Sequence, residues 1–161
     1  MFGWLKTLLI LPFNVVVIIP SLILYFSGYH YKRPDMAFGI VGSLLLATGL
    51  FLSIWTMILF AKVGKGTLAP WNPPKNLIVK GPYCFVRNPM IIGVLLILIS
   101  ECFFFSAIQL VWWAFLFFII NNIYFYVFEE RQLENNFGEE YKNYKKNVPM
   151  WIPRFSTWKL K

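Results

Sequence analysis

Four apolar runs, at roughly 8–26, 39–61, 90–106 and 107–128, dominate this 161-residue chain and leave it few folds to choose from. Each reaches about the 17–25 apolar residues that a helix needs to cross a bilayer. Hydrocarbon offers no partner to backbone N–H and C=O groups, so such runs become helices that satisfy their own polar atoms. Composition agrees. Hydrophobic residues make up 58% of the chain and charged ones 14%, where soluble domains are about half apolar and about a quarter charged. The expectation is an all-α polytopic membrane helical bundle of about four transmembrane helices. The last two form a tight hairpin around Ser106, and residues 1–161 form a single integral membrane domain.

Lys6 and the run from Leu8 imitate a cleaved signal. The run continues to Phe26, however, and no small-x-small site follows it, so it reads as a membrane helix. Pro12 and Pro20 each remove a backbone hydrogen bond there and predict kinks. Gly39, Gly42 and Gly49 in the second run predict a close helix contact.

The net charge is +8, and its placement sets the orientation. Lys62, Lys65, Lys75, Lys80 and Arg87 lie between the second and third runs. Arg131, Lys142, Lys145, Lys146, Arg154, Lys159 and Lys161 follow the fourth, and the turn near 106 has none. By the positive-inside rule both segments and the N-terminus face the cytoplasm; Lys32 and Arg33 run mildly against this. Without an Arg-rich run, these charges read as loops meeting membrane lipids, not nucleic acid. Cys84 and Cys102 form no CxxC pair and His30 is the single histidine, so the thiols read as free and no metal site is expected.

Past the fourth run the helix continues into Glu129-Glu130-Arg131, with Gly138 as a stop signal. "EEYKNYKKN" (139–147) reads as a short amphipathic helix. Trp151, Phe155 and Trp158 in "VPMWIPRFSTW" suit the headgroup layer.

Two places carry chemistry. In "GPYCFVRNP" (81–89), Asn88 is a good N-cap and Pro89 suits the first helical position. The free N–H groups of that helix start, with Arg87 beside them, suit one anion. The same charges equally suit a lipid phosphate or plain positive-inside anchoring. The second place is the end of the fourth run, where Asn122, Tyr126, Glu129 and Gln132 follow helical spacing. That stripe suits a cationic or hydroxyl-rich ligand; with Glu130 paired to Arg131 it is equally a solvated helix end. Glu101 is a lone intramembrane carboxyl, placed towards the outer edge of a short helix. The chain has no GxGxxG, Walker loop, HExxH or nucleophile elbow.

"GPYCFVRNPMIIG", a helical hairpin and then "EERQLENNFGEEYKNYKKNVPMWIP" together resemble the isoprenylcysteine carboxyl methyltransferase and phospholipid methyltransferase family. The resemblance covers about 76–155, a methyltransferase-like core, and the first two runs carry no signature. It implies a membrane-embedded enzyme that uses S-adenosylmethionine, in a pocket closed by the last two helices and the C-terminal segment. The cofactor would arrive from the cytoplasm and a lipophilic substrate from the bilayer. By the same resemblance Tyr83, Arg87, Asn88, Pro89, Met90 and Glu129 contact the cofactor, as does the backbone of Leu77 and Ile78. Arg87 and the Pro89 helix start would receive its carboxylate, Glu129 its ribose hydroxyls or amine, and Tyr83 its adenine or sulfonium. Arg87, Glu129 and Glu130 are the candidate catalytic residues, the glutamates as proton acceptors. Two departures matter. Asn88 stands where the prenylcysteine enzymes have His, and Phe125 where they have an Arg. An isoprenylcysteine carboxylate and a phospholipid or other amine-type acceptor both stay open. A sterol-reductase-like NADPH enzyme and a non-catalytic membrane scaffold are the alternatives.

Overall fold

Among the described residues the four apolar runs are helical and no strand forms. The structure is a computed structural model that describes residues 12–64 and 74–159. The start of the first run, Lys6, Lys65, Gly66, Pro70, Pro73 and Lys161 lie outside them. Five helical elements follow in order: α1 (Asn14–Phe26), α2 (Met36–Gly64), α3 (Pro89–Phe105), α4 (Ile108–Tyr124) and α5 (Glu130–Asn147). A π-helical turn, Phe125–Glu129, joins α4 to α5.

Two helices are long and apolar enough to cross a membrane: α2, and the continuous Ile108–Asn147 helix that contains α4 and α5. α1 and α3 are shorter. α3 has 17 residues, about 25 Å at the usual helical rise, slightly less than a hydrocarbon core of about 30 Å. It stops because Ser106 turns left-handed (φ 48°), and α4 restarts two residues later. The hairpin expected around Ser106 is therefore tight.

α3 lies along α2 on a seam of small residues. A Cβ on Gly93 would fall 2.4 Å from Ser53 Oγ, and one on Gly49 would fall 2.7 Å from the carbonyl of Gly93. Only glycine lets the two backbones come this near, which in a bilayer is the principal source of helix–helix contact. At Gly42 a Cβ would press on the side chains of Phe103 and Phe104 at 3.2–3.3 Å, a milder contact, and Gly39 faces open space. The expectation of close packing thus holds at two of its three glycines.

α1 begins as a π-helical turn, Asn14–Ile18. In such a turn the carbonyl of Val15 would meet the nitrogen of residue 20, and proline has no hydrogen there. Trp113 of α4 supplies the missing donor: its Nε1 hydrogen-bonds Val15 O at 3.1 Å. One predicted kink residue is thereby the joint between α1 and α4.

The core joins α3 (Ile91, Val94, Leu98), α4 (Ala114, Phe117) and Phe125 of the π turn. Leu44, Phe51, Trp112 and Phe115 point outward from α2 and α4, the side a bilayer would cover. Glu101 sits in the last turns of α3, away from the cavities described below.

The C-terminal segment packs back onto the protein. Trp151 packs on Phe118 and Phe125 and donates from Nε1 to Asn122 Oδ1 at 3.0 Å. Trp158 packs on Tyr144. Of the three aromatics only Phe155 is fully exposed. Three main-chain bonds run the segment back along the 84–87 stretch: Arg87 N to Pro149 O (2.9 Å), Arg154 N to Phe85 O (3.0 Å) and Trp158 N to Cys84 O (3.1 Å).

Candidate functional site

Gly81 takes φ +57°, a conformation that glycine reaches without strain. It turns the chain into a short 3₁₀ helix, Gly81–Cys84, which buries Tyr83. The Tyr83 carbonyl accepts a hydrogen bond from the Tyr144 hydroxyl at 2.8 Å. Burial raises the Tyr83 phenol above the ordinary tyrosine range, and the charge of Glu129 raises it further. The ring therefore stays neutral.

α3 starts at Pro89, as the sequence predicts, but Asn88 does not cap it. Its side chain makes no capping bond, and its backbone sits at φ −118°, ψ 55°. The carboxamide instead lines a cavity at the helix start. Arg87 is not an unpaired charge either. Its Nη1 donates to Glu130 Oε1 and, at 3.4 Å, to the Tyr141 hydroxyl. The Arg87 and Glu130 side chains are 11% and 7% exposed, and Arg87 Nε is buried without a partner.

Glu130 holds two cations. Its second oxygen takes Lys145 Nζ at 2.7 Å, and Lys145 also reaches Glu134 at 2.9 Å. The pairing of Glu130 with Arg131 considered from sequence is replaced by this buried network. Lys145 reaches Glu130 because α5 breaks at Gly138 (φ 52°, ψ −127°). The break brings residues 139–147 round, with Tyr141 and Tyr144 buried.

These elements line a cavity at the start of α3. Of the residues proposed from sequence, Leu77, Ile78, Tyr83, Arg87, Asn88, Glu129 and Glu130 line it. Leu77 and Ile78 are placed by the end of α2, where Gly64 contacts Ile78. A second, more apolar cavity lies among α1, α3 and α4. Met90 lines this one, and buried Pro89 lines neither. Phe60, Phe125 and Glu129 border both.

The polar stripe expected at Asn122, Tyr126, Glu129 and Gln132 does not form. Asn122 is taken by Trp151, Tyr126 is exposed and Gln132 lies in a groove on the outer side of the helix. The π turn is the reason: closing i→i+5, it turns each following residue back relative to an α-helix. Glu129 then joins Asn121 and Phe125 on one wall. The sequence reading also missed Tyr141 and Tyr144 as wall residues. Their three-residue spacing in "EEYKNYKKN" marks one helix face, but that face can reach Tyr83 only across the Gly138 break.

Residues 38–140 match the family model for phospholipid methyltransferase. The chain belongs to the phospholipid methyltransferase family. The match covers more than half of the chain and includes nearly all of α2, so the family signature reaches further forward than the 76–155 core suggested. It takes in the Gly81–Asn88 turn, α3, α4 and Glu129, and stops before Tyr141. No curated protein and no solved structure matches the chain. Membership makes this chain a methyltransferase of a membrane-protein family, in keeping with its two long apolar helices.

Proposed function

We propose that this family member is an S-adenosylmethionine-dependent methyltransferase that modifies a lipophilic acceptor. All four apolar helices would lie in the membrane, with the two cavities and the C-terminal segment towards the cytoplasm. One observation carries the reading: a polar cavity at a helix start and an apolar cavity inside the bundle share Glu129, Phe60 and Phe125 as a common wall. A reaction between a polar donor and a lipid needs such a junction.

The residues suit the cofactor. Arg87 Nε is a buried donor without a partner, and the Asn88 carboxamide, free of capping, lies beside it. Both are fitted to a carboxylate. Glu129 suits ribose hydroxyls or an amine, and the neutral ring of Tyr83 suits a sulfonium. Bound S-adenosylmethionine would supply an electrophilic methyl group. The protein's part is alignment and exclusion of water, so the lack of a side-chain nucleophile is no obstacle. Glu130, with both oxygens engaged by cations, orients Arg87. Glu129 is the carboxylate left to meet the substrates and to accept a proton from an amine. With Phe125 on the shared wall where the prenylcysteine enzymes carry Arg, an amine-type acceptor fits better than a carboxylate.

The test is calorimetric titration of S-adenosylmethionine, with NADPH in parallel, into the protein in lipid nanodiscs. Saturable binding of S-adenosylmethionine, lost in Arg87→Ala and Glu129→Gln, is the expected result. Binding of NADPH alone, or of neither by folded protein, overturns it.

A further inference from the structure

The apolar cavity contains a polar atom that nothing described so far uses. Among its described lining residues only Asn121, Tyr124 and Glu129 carry polar side chains, and none is a cation. Asn121 belongs to neither sequence motif. Its Nδ2 donates to Phe117 O at 2.8 Å, which fixes the plane and direction of the carboxamide. Its Oδ1 accepts no hydrogen bond from any described residue. Asn121 lines the cavity, and a carbonyl oxygen in an apolar setting is unfavourable unless a donor meets it. Asn121 stands about two turns before Glu129 on the same helix, and the π turn between them brings both onto one wall.

We infer that Asn121 orients the methyl acceptor, its Oδ1 accepting a hydrogen bond from an N–H or O–H on a reacting head that carries no negative charge. The inference rests on the methyltransferase reading, which makes the apolar cavity the acceptor's seat. An anionic head would lose its hydration and find no cation among the described lining residues. A donor-bearing head has one hydrogen held by Asn121, and its lone pair is left to point across the shared wall into the polar cavity. With a sulfonium methyl donor bound, that lone pair would form the bond to the methyl carbon as the carbon–sulfur bond broke with its electrons on sulfur, and Glu129 would accept the head's proton.

The test uses the full chain in detergent micelles. Native mass spectrometry follows saturable adducts with dodecylamine, dodecanol and dodecanoate, for wild type, Asn121→Leu and Asn121→Ser. Wild type should hold the amine and the alcohol but not the carboxylate. Both variants should weaken amine and alcohol binding about tenfold, the loss of one hydrogen bond made away from water. Unchanged amine binding in a folded variant, or dodecanoate held as well as dodecylamine, overturns the inference. Calorimetry with S-adenosylmethionine on the same preparations keeps the two ideas apart. If wild type fails to bind it, the methyltransferase reading falls, while the amine titrations still decide whether Asn121 holds a donor.

Discussion

Removing the carboxylate of Glu130 should unfold the site from beneath Arg87. In Glu130→Ala two cations lose a partner, but unequally. Lys145 is 37% exposed and keeps Glu134 at 2.9 Å, so it is re-paired or solvated at small cost. Arg87 is 11% exposed, with only the Tyr141 hydroxyl at 3.4 Å left to it, a contact too long to compensate. Breaking a buried ion pair by deleting one member costs about 3–5 kcal/mol, because the other charge stays behind. For a chain of this size that corresponds to a fall of roughly 6–20 °C in the unfolding midpoint, read by circular dichroism in nanodiscs. The double variant Arg87→Met/Glu130→Leu removes both charges and should recover most of the loss, as apolar replacements of buried pairs do. The coupling from the double-mutant cycle should exceed about 1 kcal/mol. A Glu130→Ala protein as stable as wild type, or a double variant as unstable as the sum of the singles, would refute the argument that Arg87 depends on this one counter-charge.

Three further outcomes follow from the same geometry. Gly93→Ala should lower the unfolding midpoint by the equivalent of about 1–3 kcal/mol, the usual penalty for forcing extra volume into a packed contact, since its Cβ would strike Ser53. Gly39→Ala, which meets nothing within 4 Å, is the control and should not destabilise. Gly138→Ala also meets no neighbour yet should cost about 1–3 kcal/mol through backbone strain alone, because φ 52° with ψ −127° is a glycine conformation; S-adenosylmethionine binding should weaken with it, as residues 139–147 swing away from Tyr83. Finally, burial raises the Tyr83 phenol, so ultraviolet titration should show the same phenolate absorbance at about pH 10, the ordinary tyrosine value, in wild type and Tyr83→Phe; a smaller step in the variant would mean that Tyr83 is open to water.

Much of the site's floor was legible from residue chemistry. The Asn-Pro step fixes the start of α3 because proline can lead a helix but not continue one. Gly81, Arg87 and Glu129 each announce a local need: a turn, a charge, a carboxylate at a helix end. What the sequence could not disclose is rotation. Whether Glu129 faces Asn122 or Asn121 depends on a single π turn, and no residue in "FYVFE" (125–129) dictates that turn by its own propensity. Partnership was equally hidden. Arg87 looks free until the fold sets Glu130 against it and the Gly138 break returns Tyr141 to it and Lys145 to Glu130, and nothing in the sequence announces that Asn122 holds the Trp151 indole. Local signals specify where helices start and stop, whereas long-range pairs determine which charges remain available.

The three main-chain bonds that fasten residues 149–158 onto the 84–87 stretch also order events in time. A ribosome delivers Arg87 long before it delivers Pro149, Arg154 and Trp158. Throughout that interval α2 and α3 can seal their glycine seam, but the arginine loop has no rail to lie against. Packing of the helices and completion of the site are thus separate stages, and a nascent chain halted after α4 would lack a finished cavity. Closure of the site, on this geometry, waits for residues 149–158.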